Sequence, residues 1–202
     1  MTSLNLEMDK SDIAKVKFML GALSKAGDRV IQQSVNKTLT GVRTDATNEV
    51  SKVITPTKTS IRKTMTVYKM IARDGNAFVK CTGGPLNLIN FKARQTQKGV
   101  TVQVLKSGGR KLIRHAYIAT MKDGNKLVMW RKYDGPRVKW RKNFPYSKLP
   151  KKYRLPVKAL TSMAIPDVMK HGPTMAEILR LGGIRLKKNL NARLSYELSK
   201  LN

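Results

Sequence analysis

A stretch rich in lysine, arginine and aromatic residues lies between residues 130 and 154. Ten of its residues are Lys or Arg, and Asp134 is the only acidic residue among them. Six aromatic residues are interspersed: Trp130, Tyr133, Trp140, Phe144, Tyr146 and Tyr153. Cations suit contacts with phosphate oxygens, and aromatic rings suit stacking on bases. The predicted nucleic-acid contacts are Arg131, Lys132, Arg137, Lys139, Arg141, Lys142, Lys151, Lys152 and Arg154.

The same stretch has a second interpretation, in which the rings belong to a core or an interface and the charges form a solvated rim. Trp130 favours it, because this residue continues a strand pattern. The overall charge favours phosphate contact for the rest. The 202 residues include 41 Lys and Arg against 12 Asp and Glu, for a net charge of +29. Residues 1–54 contain only eight of the basic residues and six of the acidic ones, so nearly all the excess follows residue 54.

A strongly basic surface of this kind usually faces a nucleic acid or an anionic membrane surface. The sequence has no helix-turn-helix, zinc-finger or RNA-stacking motif that would read bases. We therefore expect contacts with the phosphate backbone that do not depend on nucleotide sequence.

Sequence motifs for catalysis or metal binding are missing. His115 is predicted to be a strand residue, and His171 a helix cap or surface residue. Cys81 has no activating base beside it in the sequence and is predicted to pack in the core. The acidic residues are scattered, whereas two-metal nuclease chemistry needs clustered carboxylates. We expect no enzymatic activity, no cofactor and no metal site.

The apolar runs are far shorter than the roughly 20 residues that a bilayer span requires. The first ten residues are mixed and acidic, unlike a signal peptide. A single cysteine excludes an internal disulfide, which fits a reducing intracellular compartment.

Apolar residues recur at helical spacing from residue 10 to residue 54. An unbroken helix of that length would measure roughly 60 Å or more, and it would suit assembly with neighbouring subunits. The alternative is two helices with a break near Gly27. A short helix then restarts, with Thr55 as its predicted N-cap and Pro56 as its first residue. We expect Ile61 and Met65 to face inward.

Alternating patterns predict hairpins around the turns "RDGN" at 73–76 and "KDGN" at 122–125. We expect a single α+β domain over residues 1–202, with a long N-terminal helix or helix pair, a central antiparallel sheet of β-hairpins and C-terminal helices. The predicted segments are an N-terminal helical segment at 10–65, the sheet at 66–133, a basic loop at 134–157 and a C-terminal helical segment at 158–202.

The order of four segments resembles the prophage minor tail protein Z family, also called GPZ-like tail completion proteins. They are the helix through "VNKTLTGVRTDATNEVSKV", the basic restart "TKTSIRKTM" with its hairpin, "GPLNLINF", and "HAYIATMKDGNKLVMWRK" followed by "LPVKALTSMAIPDV". The resemblance covers roughly residues 25–175. Asn87 stands where the family commonly has a proline, and Tyr117 replaces a phenylalanine.

The resemblance implies a structural protein of the virion tail or neck, assembled in the host cytoplasm. It implies a ring, expected to be a hexamer, at the head-proximal end of the tail, where head–tail joining is completed. The implied partners are the tail terminator, the tail tube, head–tail connector proteins and packaged DNA, with no membrane partner. The alternative function, based on composition alone, is a ribosomal or other RNA-binding protein without sequence specificity.

Overall fold

The computed structural model describes residues 2–5, 24–71, 76–131 and 157–200. It contains a long N-terminal helix, three small antiparallel sheets and C-terminal helices, which confirms the predicted α+β class. The chain divides into two compact units. One, the helical unit, comprises Met1–Gly84 and Met163–Asn202, and the other, the β unit, comprises Pro85–Ser162. The prediction of a single domain stays a prediction.

The helical unit is built around helix α1, Ser24–Val53. Its 30 residues correspond to about 45 Å of helix. The helix continues through Gly27 and Gly41, so neither glycine provides the break that the two-helix alternative requires. Residues 10–23, which were predicted to begin this helix, lie outside the described residues. The apolar stripe of α1 is fully buried at Leu39, Val42, Ala46 and Val50.

Hydroxyl groups on the buried side of α1 find acceptors within the helix. Thr38 Oγ1 donates to the Ser34 carbonyl at 2.8 Å, and Thr47 Oγ1 donates to the Arg43 carbonyl at 2.7 Å. Ser51 Oγ donates to the Asn48 carbonyl at 2.8 Å. These bonds let α1 bury polar side chains without leaving their donors unsatisfied.

Helix α4, Gly172–Leu198, packs against α1. Its buried positions recur every four residues: Thr174, Ile178, Gly182, Leu186 and Leu190. The helix passes through Gly182 and Gly183 without a break. Packing of one whole face on α1 offsets the helix-propensity cost of about 1 kcal/mol per glycine.

The C-terminal helices begin later than predicted. Helix α3 spans Ile165–Lys170, and His171 is its C-cap, as expected for that histidine. Val157–Ala159, which the sequence assigned partly to the basic loop and partly to the helical segment, is strand β9. It is a strand because it pairs with the edge of a preceding hairpin.

The restarted helix is also shifted. Helix α2 spans Lys58–Lys63, and its N-cap is Thr57, whose Oγ1 accepts from the Ser60 N–H at 3.3 Å. The predicted cap, Thr55, is wrong by two residues, because Thr55 and Pro56 are buried in the connection from α1. Ile61 and Met65 are buried as predicted.

The first sheet belongs to the helical unit and has the strand order β1-β3-β2. Its strands are β1 Thr2–Asn5, β2 Met65–Tyr68 and β3 Phe78–Cys81. The hairpin of β2 and β3 is confirmed, but its pairing stops at Tyr68 and Phe78, whose rings stack at 4.7 Å. Residues 73–75 of the turn predicted at "RDGN" lie outside the described residues.

The chain leaves the ladder after β2 because α1 offers other partners for its backbone. The Met70 N–H donates to Asn36 Oδ1 at 2.7 Å. The Met70 carbonyl accepts from Asn36 Nδ2 at 3.2 Å and from Gln32 Nε2 at 3.1 Å. These bonds hold the chain on α1 where a tight hairpin would have kept it on β3.

The β unit contains the other two sheets, where the sequence predicted a single one from 66 to 133. One sheet consists of β4 Arg94–Thr96, β5 Gly99–Val102 and β6 Lys111–Arg114. The other consists of β7 Ala116–Thr120, β8 Lys126–Arg131 and β9. Their shared core is formed by Leu88, Phe91, Val100, Val102, Ala116 and Val128.

His115 separates the two sheets of the β unit. Its φ of 61° is left-handed, and its N–H donates to the Lys98 carbonyl at 3.2 Å. The prediction that His115 lies within a strand is wrong, because this turn divides one predicted strand into β6 and β7. The turn at "KDGN" is confirmed: it joins β7 to β8, with Gly124 at φ 79°.

Asn87 links the start of a 3₁₀ turn, Leu88–Asn90, to strand β8. Its Oδ1 accepts from the Ile89 N–H at 3.0 Å and from the Val128 N–H at 2.9 Å. Asn87 also forms an antiparallel bridge with Thr161. The side-chain amide therefore holds the crossing segment in place beside the core.

Candidate nucleic-acid interface

Two arginines lie on the outer face of the sheet β4-β5-β6. Val100 and Val102 point from β5 into the core, so Gly99 and Thr101 face the opposite side. The register places Arg94 opposite Thr101 and Arg114 opposite Gly99. Both arginines are exposed.

Lys98 lies in the tight turn between β4 and β5. Its carbonyl accepts from the N–H of His115, which follows Arg114. The three exposed cations Arg94, Lys98 and Arg114 are called the basic sheet face below. Arg94 and Arg114 project from a hydrogen-bonded ladder and the backbone of Lys98 is bonded to His115, so the three backbones are fixed before any ligand arrives.

Gly99 fixes the geometry of the basic sheet face. Its φ of +149° disfavours any side chain. A Cβ at this position would also overlap the Ile113 carbonyl oxygen. Glycine therefore lets β5 approach β6 beside Arg114.

Arg110 has a structural role. Its Nη1 and Nη2 donate to the Lys92 carbonyl at 3.0 and 2.6 Å. Lys92 has a φ of 50°, a left-handed conformation that costs energy outside glycine. The two guanidinium bonds stabilise this bend at the base of β4.

The charge of the β unit is almost entirely positive. Its described residues include eleven Lys and Arg and a single acidic residue, Asp123. The Asn125 N–H and Nδ2 donate to the Asp123 carboxylate at 3.3 and 2.6 Å, and these bonds lower the pKa of Asp123. One carboxylate cannot neutralise eleven cations, so the surface of this unit attracts anions.

Arg131 is the one predicted nucleic-acid contact that falls within the described residues. It ends β8, is half-buried, and its guanidinium lies 5.5 Å from the centre of the Tyr117 ring. This stacking orients the guanidinium. Trp130 lies in the same strand, as its pattern predicted. The other eight predicted contacts lie outside the described residues: Lys132, Arg137, Lys139, Arg141, Lys142, Lys151, Lys152 and Arg154.

Four cations of the helical unit have acidic partners. Arg185 forms a bidentate pair with Asp45, with Nε–Oδ2 at 2.9 Å and Nη2–Oδ1 at 2.7 Å. Three further pairs are Lys52–Glu49, Arg180–Glu177 and Arg193–Glu197. The Arg185–Asp45 pair joins α4 to α1, and the other three pairs each lie within one helix.

The described residues hold no group of three or more His, Cys, Asp or Glu side chains that would bind a metal ion. Cys81 is buried, and burial raises the pKa of its thiol. Its Sγ lies 3.6 Å from Thr64 Oγ1, which confirms a packing role. None of the helices described here is long and apolar enough to cross a bilayer.

The basic sheet face was not predicted from the sequence. Two signals mark it: residues 85–131 contain only one acidic residue, and Arg94 and Arg114 occupy the polar positions of alternating strands. The contacts were predicted in the aromatic-rich stretch that follows, because its density of charge is higher.

A family model described as prophage minor tail protein Z (GPZ) matches residues 18–182, which is more than half of the chain. Searches of the curated proteins and of the solved structures found no match. The family match confirms the resemblance noted in the order of the sequence motifs. It indicates a structural protein of the phage tail and a location in the virion. The chain belongs to the prophage minor tail protein Z family.

Proposed function

We propose that this protein is a tail completion protein that forms a ring at the head-proximal end of the phage tail and is needed for head–tail joining. The observation that carries the proposal is the family match over residues 18–182. The charge of the β unit supports a position close to packaged DNA. The family match also favours this function over the RNA-binding alternative, which rests on composition alone.

Exposed apolar side chains on α4 support assembly into a ring. Leu179 is 45% exposed and Ile184 is 54% exposed on a helix whose opposite side is packed on α1. Contacts between subunits would remove such surfaces from water. The sixfold symmetry expected of the tail makes a hexamer the proposed state. Its proposed neighbours are the tail terminator, the tail tube and head–tail connector proteins.

Contact with packaged DNA is assigned to the basic stretch after β8 together with the basic sheet face. Backbone phosphates are the proposed ligands, because a protein at the end of a packaged genome meets whichever sequence arrives there. Such binding weakens steeply with salt.

The test uses a prophage that carries charge reversals at four cations of the basic stretch: Arg137→Glu, Lys139→Glu, Arg141→Glu and Lys142→Glu. We expect tails to assemble while head–tail joining or DNA retention fails, as seen by electron microscopy and by DNA release. The matched control places four charge reversals on exposed cations of the helical unit: Lys37→Glu, Lys170→Glu, Lys187→Glu and Lys188→Glu.

Normal joining and normal DNA retention in the first variant would refute the DNA contact. Deletion of the gene tests the broader proposal: infectious particles with complete necks would refute a role in tail completion.

A further inference from the structure

A groove of about 320 Å³, lined by charged and polar residue types, lies between α1 and α2 in the helical unit. Four of its eight lining residues are cations: Arg43 from α1, and Lys58, Arg62 and Lys63 from α2. The other four are polar, namely Thr44, Thr47, Asn48 and Thr59. No lining residue is acidic. We call this feature the α1–α2 groove.

Asp45 and Glu49 follow groove residues in the sequence of α1, and their carboxylates pair with cations outside the groove. Asp45 accepts both of its bonds from Arg185 on α4. Glu49 accepts from Lys52 at 2.7 Å. Both of these carboxylates therefore pair with cations outside the groove, and they do not neutralise the cations that line it.

Existing bonds hold the groove cations in position. Arg43 Nη2 donates to the Arg62 carbonyl at 2.9 Å, which ties α1 to the end of α2. Lys58 Nζ donates to Asn48 Oδ1 at 2.8 Å, which ties the other end of α2 to α1. An ammonium group has three donors, so Lys58 keeps further donors for a ligand.

Arg43 also has a donor without a partner. Its Nε is buried and has no hydrogen-bond acceptor in the part of the chain that the structure describes. A buried guanidinium donor without a partner is costly. An anion in the groove would face the charge of the Arg43 guanidinium, which lines it.

We propose that the α1–α2 groove binds a phosphate of a nucleic-acid backbone. Converging Lys and Arg side chains with hydroxyl groups beside them suit a tetrahedral oxyanion. A polymer of phosphates is favoured over an isolated anion because the whole chain has a net charge of +29. The inference rests on the proposed function only in taking DNA as that polymer. It adds a binding site in the helical unit, distinct from the basic stretch and from the basic sheet face.

The test measures binding of a fluorescein-labelled duplex of random sequence to the full-length protein by anisotropy, over a series of salt concentrations. The groove variant combines Lys58→Gln, Arg62→Gln and Lys63→Gln. All three residues are exposed, so the fold is expected to survive, which circular dichroism and thermal unfolding check. The matched control removes three exposed cations of the same unit: Lys170→Gln, Lys187→Gln and Lys188→Gln.

The groove variant is expected to bind DNA about tenfold more weakly in low salt, with a shallower dependence of affinity on salt. The control is expected to change affinity by less than about threefold, because its lysines add only to the diffuse field. Amide resonances of Thr44, Asn48 and Thr59 are expected to shift when a short duplex is added to the wild type.

Equal losses in the groove variant and the control would overturn the proposal, since they would indicate diffuse attraction alone. Tight binding of polyglutamate in the groove, with DNA affinity unchanged in the groove variant, would also overturn it and would assign an acidic protein as the occupant. A loss of affinity confined to variants of the basic sheet face would refute the groove and leave the proposed DNA contact intact. A wild-type protein that does not bind DNA in low salt would refute both.

Discussion

The helical unit and the β unit use positive charge differently. In the helical unit, the acids Asp45, Glu49, Glu177 and Glu197 each pair with a Lys or Arg. In the β unit, Asp123 is the only described acidic residue among eleven cations, and its carboxylate is bonded to Asn125. Part of the positive charge of the helical unit therefore goes into ion pairs within and between helices, whereas in the β unit the eleven described cations share a single carboxylate.

In both units, apolar burial contributes more to stability than the charged side chains do. Exposed ion pairs contribute about 0–1 kcal/mol each, so the pairs of the helical unit orient its helices more than they stabilise them. Stability in both units comes from apolar burial, such as Leu39 and Ile178 in one and Phe91 and Val128 in the other. Each unit has its own core, and each should therefore respond to core substitutions.

The largest expected effect is a lower free energy of unfolding when the Phe91 ring is removed from the β-unit core. Phe91 is fully buried, and Phe91→Ala should lower the free energy of unfolding by about 3–5 kcal/mol through lost burial and a cavity. Urea unfolding measures the loss. Phe91→Leu keeps much of the volume and should cost less than about 1.5 kcal/mol. Equal costs for the two variants would show that Phe91 is not a packed core residue.

The second effect concerns Asn87, whose side chain holds the crossing segment against β8. Asn87→Ala should cost about 1–3 kcal/mol, because the buried N–H of Val128 loses its acceptor. Asn87→Pro should cost about 0.4–1 kcal/mol less than Asn87→Ala, since proline restricts the unfolded chain.

Proline fits this position for two reasons. Asn87 has a φ of −62°, which is the value that a proline ring imposes. The bonds that flank its bridge with Thr161 come from the Leu88 and Ser162 N–H groups, so the Asn87 N–H is not used there. Urea unfolding of both variants tests this, and a proline variant less stable than the alanine variant would contradict it.

The third effect tests the charge comparison directly. Arg94→Gln with Arg114→Gln removes two cations from the basic sheet face, while Arg180→Gln with Arg185→Gln removes two that are paired with acids. The first variant should bind duplex DNA about tenfold more weakly in low salt, with a salt slope reduced by about 2. The second should change affinity by less than about threefold. Equal losses in anisotropy titrations would show that both units attract DNA alike.

The sequence predicted those features that depend on local periodicity. The stripe along α1 and the buried positions Ile61 and Met65 follow from spacing alone. The order of motifs was sufficient to predict the family. Features set by contacts between distant residues were not predicted. Asn36 and Gln32 form hydrogen bonds with the backbone of Met70, which follows β2, and no local sequence pattern indicates those bonds.

The candidate site was predicted only in part, for a similar reason. A dense run of cations and rings is visible in the sequence, whereas the basic sheet face forms only when β4, β5 and β6 align Arg94 with Arg114. The α1–α2 groove likewise joins Arg43 to residues 15–20 positions further along the chain. No acidic residue lines the groove, and the nearby Asp45 is bonded to Arg185. These two residues are 140 positions apart in the sequence.

The smallest expected change in the free energy of unfolding comes from disturbing the Arg185–Asp45 pair, which joins α4 to α1. The side chain of Arg185 crosses α1 over Gly41, where a Cβ would come within 2.6 Å of Nε, and it then reaches Asp45. Gly41→Ala should displace Arg185 and lose an exposed pair worth about 0.2–1 kcal/mol. It should also gain about 1 kcal/mol in helix propensity. The net change in the free energy of unfolding should therefore be within about 1 kcal/mol of zero.

A double-mutant cycle with Asp45→Ala separates these two opposing contributions. In the wild-type background, Asp45→Ala removes the bonds to Arg185, whereas in the Gly41→Ala background those bonds are already lost. The two substitutions should therefore couple by about 0.5 kcal/mol, because only the pair is shared between them. Urea unfolding of the four proteins measures this term. A coupling of zero would mean that Arg185 reaches Asp45 around an alanine as easily as over a glycine, and the small residue at position 41 would then have no part in joining the two helices.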